Sequence, residues 1–318
     1  MKKIITILVT AVMMAGSLTA CGTTGVQNGT GAGKISVVTT IFPEYDWVMN
    51  ILGDDPAGAE VTMLLDNGVD LHSYQPTVDD ILKISTCDLF IYVGGESDEW
   101  VNDILESGDR KPKKIIALMD IVDKVQEEIV EGMEKDKDDG DTIEYDEHVW
   151  TSPVNASLIT RKISEALCEL DSKNVDFFKN RTAEYCQKLS ALDNEFRKIV
   201  ENASRKTIVF GDRFPFRYLA DEYGLKYYAA FPGCSSETEP SAATISFLID
   251  KVKEEKIPVV FSIEFSSGKV ADVICESTGA KKLTFHSCHN VTQKEMDNDA
   301  SYYWIMRDNA SALKEALG

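Results

Sequence analysis

Four histidines, His72, His148, His286 and His289, are the chain's whole complement, and their placement is what points to chemistry. None recurs at a helical or strand period. Each falls in a loop-like stretch after a strand or before a helix, flanked by acids or a cysteine. His72 lies in Asp70-Leu-His-Ser-Tyr-Gln-Pro-Thr77, and His148 in Asp146-Glu-His-Val-Trp-Thr-Ser-Pro153. His286 and His289 form His-Ser-Cys-His after a short apolar run. Neutral imidazole nitrogens suit Zn2+, and three or four of them make the tetrahedral shell it accepts. Mn2+ prefers carboxylates and higher coordination, so an imidazole-rich shell favours Zn2+.

The elements that must position these side chains alternate between strand and helix. Ile35–Thr40, Glu60–Leu65, Asp88–Val93 and Lys114–Leu118 read as strands. Between them lie helical stretches over Glu44–Leu52, Thr77–Thr86 (capped by Thr77) and Glu99–Glu106. Helices are expected over Pro153–Leu170 and over 174–202, the latter without a proline or glycine. At 1.5 Å per residue the second would run roughly 43 Å, longer than one small domain needs. The rhythm then resumes with strands at Thr207–Phe210, Leu225–Ala230, Pro258–Ile263 and near Lys282–Phe285. Helices at Phe216–Tyr223, Ser241–Glu255, Lys269–Ser277 and Tyr302–Leu317 complete it. Such a rhythm predicts an α/β fold: two lobes with parallel sheets flanked by helices, joined by one long backbone helix. The lobes are expected over 34–173 and 204–318, with the linking helix over 174–203. Open parallel sheets bind ligands at the carboxyl ends of their strands, so a metal site would lie in the cleft between the lobes.

Charge narrows the partners. The formal net charge is −20, against the concentrated basic surface that nucleic acid requires. It also argues against an electrostatic hold on anionic lipid, and is compatible with attracting cations. Residues 120–147 hold 13 acids and three lysines, net −10, around a Lys-Asp-Lys-Asp-Asp-Gly-Asp centre. A solvated, self-repelling loop accounts for this composition, and weak collection of cations is the sharper alternative. Carboxylates alone hold Zn2+ poorly, so this loop is not the main site.

At the N-terminus, MKKIITILVTAVMMAGSLTAC has two lysines, a short apolar run and small residues before Cys21. That is the pattern of a secretory signal over 1–20, and the run is too short to span a bilayer. Leu18-Thr-Ala-Cys21 resembles a bacterial lipobox, which makes Cys21 the lipidated residue. The Gly/Thr-rich stretch 21–33 is then a flexible tether, and the folded part works at the outer face of the membrane. Removing Lys2 and Lys3 with the signal takes the charge from −20 to −22. The six later cysteines include no CxxC pair. Cys87, Cys168, Cys186 and Cys275 lie in apolar-periodic segments and read as buried thiols, leaving Cys234 and Cys288 in loop contexts.

The histidine segments also carry a family resemblance. Leu71-His-Ser-Tyr-Gln-Pro-Thr resembles the "PHxYEPT" segment of cluster A-I solute-binding proteins, the zinc- and manganese-binding components of ABC importers. Glu147-His-Val-Trp-Thr-Ser-Pro-Val-Asn-Ala resembles their "PHxWLSPxNA" segment. Val38-Thr-Thr-Ile-Phe-Pro-Glu-Tyr-Asp, Tyr223-Gly224, Glu239-Pro-Ser and Ser301-Tyr-Tyr-Trp-Ile-Met-Arg-Asp-Asn are similar too, so the likeness covers the chain after the tether. It implies a metal held between two lobes, a rigid backbone helix, an ABC permease as partner, a monomer, and attachment through the lipid alone. The family's third ligand, His or Glu, falls within Gly211-Asp-Arg213, where only Asp212 could ligate. Its fourth, an Asp, falls near His286-Ser-Cys-His289, and counting from either side favours a different histidine. The shell implied is His72 and His148 from the first lobe with His286, His289 or both from the second. Asp212, Glu264, a water, Cys234 or Cys288 could complete it.

Two other functions fit parts of the sequence. A secreted metallohydrolase would need an open coordination position and a base, for which Glu147, Asp146 or Glu264 could serve. A surface adhesin would use the lobes to bind a partner. No GxSxG or HExxH occurs, and Val93-Gly-Gly-Glu-Ser lacks the spacing and lysine of a phosphate loop. Capture and hand-over of a metal, not catalysis, is the expected function. Because the imidazoles must be neutral, affinity should fall below roughly pH 6.5.

Overall fold

The computed structural model describes residues 34–53, 58–107, 110–133, 144–235 and 239–318. The signal over 1–20, Cys21, the tether and the centre of the acidic loop (134–143) lie outside the described residues.

Short β-branched and aromatic runs make two four-stranded parallel sheets. The first half contains β1 (Ser36–Thr39), α1 (Phe42–Leu52), β2 (Glu60–Met63), α2 (Val78–Thr86), β3 (Leu89–Tyr92), α3 (Trp100–Ser107) and β4 (Lys114–Ala117). Its strands lie in the order β2-β1-β3-β4. Two long helices follow, α4 (Pro153–Leu170) and α5 (Val175–Glu201). The second half contains β5 (Thr207–Phe214), α6 (Arg217–Tyr223), β6 (Lys226–Pro232), α7 (Ala242–Glu254), β7 (Val259–Ser262), α8 (Lys269–Thr278), β8 (Lys281–Thr284), α9 (Gln293–Met296) and α10 (Tyr302–Leu317). Its sheet repeats the pattern as β6-β5-β7-β8. The fold class read from the sequence is the one observed. Among the described residues no helix is long and apolar enough to cross a membrane.

Helix α5 bridges the halves. Its buried Phe178, Thr182, Tyr185, Leu189, Leu192, Phe196 and Val200 recur every three or four residues, forming one stripe. The 27 residues run about 40 Å, enough to lie along both halves. The Tyr185 hydroxyl donates to Asp46 on α1 at 3.0 Å, while Arg197 pairs with Glu222 on α6. One helix is thus pinned to both sides.

Strand β5 runs beyond its expected end at Phe210. The pairing with β6 shifts register between Phe210 and Arg213, so the polar Gly211-Asp212-Arg213 continues as strand. Phe214 then stacks on Tyr227 with ring centroids 3.7 Å apart, and Phe210, Phe216, Phe261 and Phe285 pack around it. This aromatic core holds the end of β5 toward the other half. The four-residue α9, capped by Thr292, is an element the sequence reading lacked.

All six cysteines after Cys21 are unpaired. Cys87, Cys186 and Cys288 are buried, as expected of small hydrophobes, while Cys168, Cys234 and Cys275 are partly buried. Cys288, expected in a loop context, belongs to the main core.

Candidate metal centre

The first histidine is set by a single 3-10 turn, Leu71–Ser73, after β2. Buried Leu71 anchors it, and the Asp70 carboxylate caps it by accepting the His72 amide at 2.9 Å. The ring Nδ1 lies 3.1 Å from Glu147 Oε1 and 2.8 Å from Ser97 Oγ. Ser97 donates its amide and hydroxyl to the same Glu147 carboxylate. The approach is close: a Cβ on Gly95 would lie 2.1 Å from Glu147 Oε2, so this turn has no room for a side chain.

His148 precedes a second 3-10 turn, Val149–Thr151, that leads into α4, whose first turn is capped by Ser152. Its Nδ1 lies 3.2 Å from Asp146 Oδ1, which also accepts its backbone amide at 2.8 Å. The rings of His72 and His148 stand with centroids 5.3 Å apart.

The second half contributes His289, in the loop after β8. Its Nδ1 lies 2.7 Å from Ser287 Oγ and 3.1 Å from Glu264 Oε1, while Nε2 is buried with no hydrogen-bond partner. Its backbone is tied to the first half. The His289 carbonyl accepts from the Phe42 amide at the start of α1, and Asn290 donates to the Val69 carbonyl. Trp150, beside His148, donates its indole N–H to the Ser287 carbonyl at 2.7 Å.

One chemical device appears three times. Glu147, Asp146 and Glu264 each back an imidazole at Nδ1. A carboxylate only accepts, so Nδ1 carries the proton and Nε2 keeps its lone pair. Metal-ligating histidines are typically held in this way. Burial works to raise the Glu147 carboxyl, but the His72 hydrogen bond and the charges of His72 and His148 outweigh it and bring it down to about 2. Glu264 is held well below the carboxylate range against the same desolvation, by His286, His289 and Ser287. Burial lowers His72, helped by the neighbouring charge of His148. His148, more deeply buried, is instead raised because Asp146 outweighs desolvation.

His286 lies against the same Glu264, its Nδ1 3.6 Å from Oε1, and has further contacts of its own. Its Nδ1 accepts the Cys288 amide, and its backbone N–H and carbonyl are clamped by Asn309 on α10. Its Nε2 is nevertheless buried and unpartnered. Asp212 is engaged too: it accepts from the Ile263 and Arg213 amides, and burial raises its carboxyl. Arg213 is the residue that reaches across, its guanidinium donating to Asp70 Oδ2 at 2.8 Å. The Asp70 carboxyl is held near 2 because this pairing outweighs its desolvation. A guanidinium cannot ligate, so at the end of β5 a cation stands where the resemblance implied a ligand.

The sequence singled out the histidines but not that these carboxylates stand behind their rings. Asp146 and Glu147 entered as candidate bases, whereas here they orient rings. The acids flanking His148 were the available signal; Ser97 and Ser287 gave none.

The family described as "Zinc-uptake complex component A periplasmic" (ZnuA) matches residues 37–316. The chain belongs to this family. Its members are binding components of metal uptake systems and not enzymes. The chain is 31% identical to the zinc-binding lipoprotein AdcA of Streptococcus pneumoniae serotype 4, over 99% of this chain and 61% of that relative. It thus spans about three-fifths of the length of that relative. It is 30% identical to the high-affinity zinc uptake system protein ZnuA of Bacillus subtilis, over 94% of this chain and 93% of the relative. The crystal structure of the Zn(II)-bound ZnuA-like domain of S. pneumoniae AdcA superposes with a TM-score of 0.73 at 29% identity. The match covers 90% of this chain and 99% of that one.

Proposed function

We propose that this chain captures Zn2+ outside the cell and delivers it to the permease of an ABC importer. His72, His148 and His289 serve as ligands, drawn from the lobes 34–173 and 204–318 on either side of the linking helix. The observation that carries this is the set of three imidazoles, each backed at Nδ1 by its own buried carboxylate. Zinc is favoured over manganese because those carboxylates are engaged in holding rings, leaving nitrogen as the main donor type. His286, clamped by Asn309 and by the Cys288 amide, supports the loop that carries His289. The cation is cargo, so the site has to bind and release it without chemistry.

The lipobox-like sequence before Cys21 and the lipoprotein named among the relatives support a lipid anchor. The chain then works as a monomer at the outer membrane face. Titration of the purified chain with Zn2+ and Mn2+, repeated for alanine variants of the four histidines, tests the assignment. Tight Zn2+ binding lost in His72→Ala, His148→Ala and His289→Ala but kept in His286→Ala is expected. Unchanged Zn2+ affinity in His289→Ala would overturn the ligand set, and tighter Mn2+ than Zn2+ binding would overturn the cargo.

A further inference from the structure

One donor cluster adds a third residue, Cys234, to the Asp146–His148 pair. Asp146, His148 and Cys234 each place a donor atom within 4.8 Å of those of the other two. Zinc takes nitrogen and oxygen at about 2.0–2.2 Å and thiolate sulfur at about 2.3 Å, so donors on one ion stand up to about 4.5 Å apart. Small side-chain movements would bring the Cys234 thiol to a cation held by His148, with Asp146 still backing the ring.

The surroundings prepare such a contact. Asp146 Oδ2 is buried with no hydrogen-bond partner, although Oδ1 is used by His148. That free oxygen faces the turn that carries Cys234: a Cβ on Gly233 would lie 3.0 Å from Asp146 Oδ2 and 3.2 Å from His148 Cε1. Only a residue with little or no side chain at 233 lets the turn come this close. The turn is also held from the acidic segment, since Glu127 Oε1 accepts the Cys234 amide at 3.0 Å. Residue 127 is set in turn by a short clasp in which Gln126 bridges Tyr145 and the Asp146 amide donates to the Val125 carbonyl. A thiol is therefore fixed beside a buried imidazole and a carboxylate oxygen that has no other partner.

We infer that Cys234 supplies a thiolate ligand to the captured cation beside His148, making the site softer than an all-imidazole shell. This rests on the metal-capture function proposed above. A bound divalent cation draws a thiol into its deprotonated, ligating form. The S–H bond breaks, the sulfur lone pair forms the metal–sulfur bond, and one proton leaves to solvent. Soft sulfur also explains how the site selects zinc without the usual third ligand at the end of β5.

Cobalt(II) reports this directly, because a thiolate–cobalt bond gives a near-ultraviolet charge-transfer band that imidazole ligands do not. The full folded chain, titrated with Co2+ alone, should show that band together with visible ligand-field bands. In Cys234→Ser the charge-transfer band should vanish while the ligand-field bands persist, and Zn2+ affinity should fall about 10- to 100-fold. Stoichiometric Co2+ binding by the wild-type chain without the charge-transfer band overturns the thiolate ligand and leaves the histidine site standing. Absence of any Co2+ or Zn2+ binding overturns the capture function itself. The wild-type spectrum decides the matter even if the variant folds poorly.

Discussion

Sheets β2-β1-β3-β4 and β6-β5-β7-β8 share one strand order, and loops after their strands touch through the Asp70–Arg213 pair and the Asn290–Val69 bond. At the end of the first sheet stand two imidazoles with buried carboxylates behind them. At the end of the second stand two imidazoles, His286 and His289, that share the one carboxylate of Glu264, and a guanidinium that reaches across to Asp70. The halves also differ below the site. The first buries Glu44, Asp46 and Asp98, and desolvation raises them to about 8, 7 and 7. Similar backbones thus accept different charge arrangements, because each half sets its own carboxylates through loop contacts that the sheets do not dictate.

The largest expected effect tests whether the halves contribute unequally. His148→Ala should weaken Zn2+ binding about 1,000-fold, roughly 4 kcal/mol, measured by competition with a chelator. His289→Ala should cost about tenfold less than that. Equal losses would break the asymmetry. Next come the supports: Glu147→Gln and Glu264→Gln should each weaken binding about 10- to 100-fold, with little change in melting temperature. Gly95→Ala should act like Glu147→Gln, since its methyl group would displace that carboxylate.

Replacing the guanidinium is a smaller test. Arg213→His removes a positive charge from the cleft and supplies a nitrogen donor, so Zn2+ affinity should rise about tenfold. A fall would mean that the bridge to Asp70 matters more for holding the halves than for opposing the cation.

The smallest effect concerns stability. In the pH interval between the unfolded and folded pKa values, the folded chain keeps a proton on Glu44 that the unfolded chain has lost. Stability therefore falls as pH rises from about 4.5 to about 8 and levels off above that. Asp46 and Asp98 add the same sign up to about 7. Melting temperature should drop by roughly 5–10 °C between about pH 5 and pH 8. Glu44→Gln should flatten part of that slope, because an amide oxygen can still accept from Thr40 and Ile41.

Much of this was legible in the residues. Helix α5 was placed within a residue at each end, because no proline or glycine interrupts an apolar stripe with helical spacing. Helix α4 could be read from Pro153 onward, since proline suits a first helical position. Strand β5 was cut short because Gly211-Asp212-Arg213 has loop composition. Its continuation depends on a register shift and on aromatic packing from Tyr227 and Phe285, which are distant in sequence. The contacts of His286 and His289 were equally hidden. Cys288 between them takes a left-handed φ of 67°; His286 Nδ1 accepts its amide, while His289 Nδ1 lies against Ser287 Oγ. Nothing in His-Ser-Cys-His announces that turn.

The bond from the Phe42 amide to the His289 carbonyl has a kinetic consequence. It satisfies one of the donors left free at the start of α1 and fastens the His289 loop of one half to a helix of the other. A small rotation of the halves would carry that loop along and leave His289 in place. With His289 as the proposed ligand, the residence time of the cation would be governed by how often this main-chain bond and the Asn290–Val69 bond open together. Unloading would then be a peeling event at one loop, and a permease that competes for those two backbone groups would shorten the dwell of the ion without prising the molecule apart.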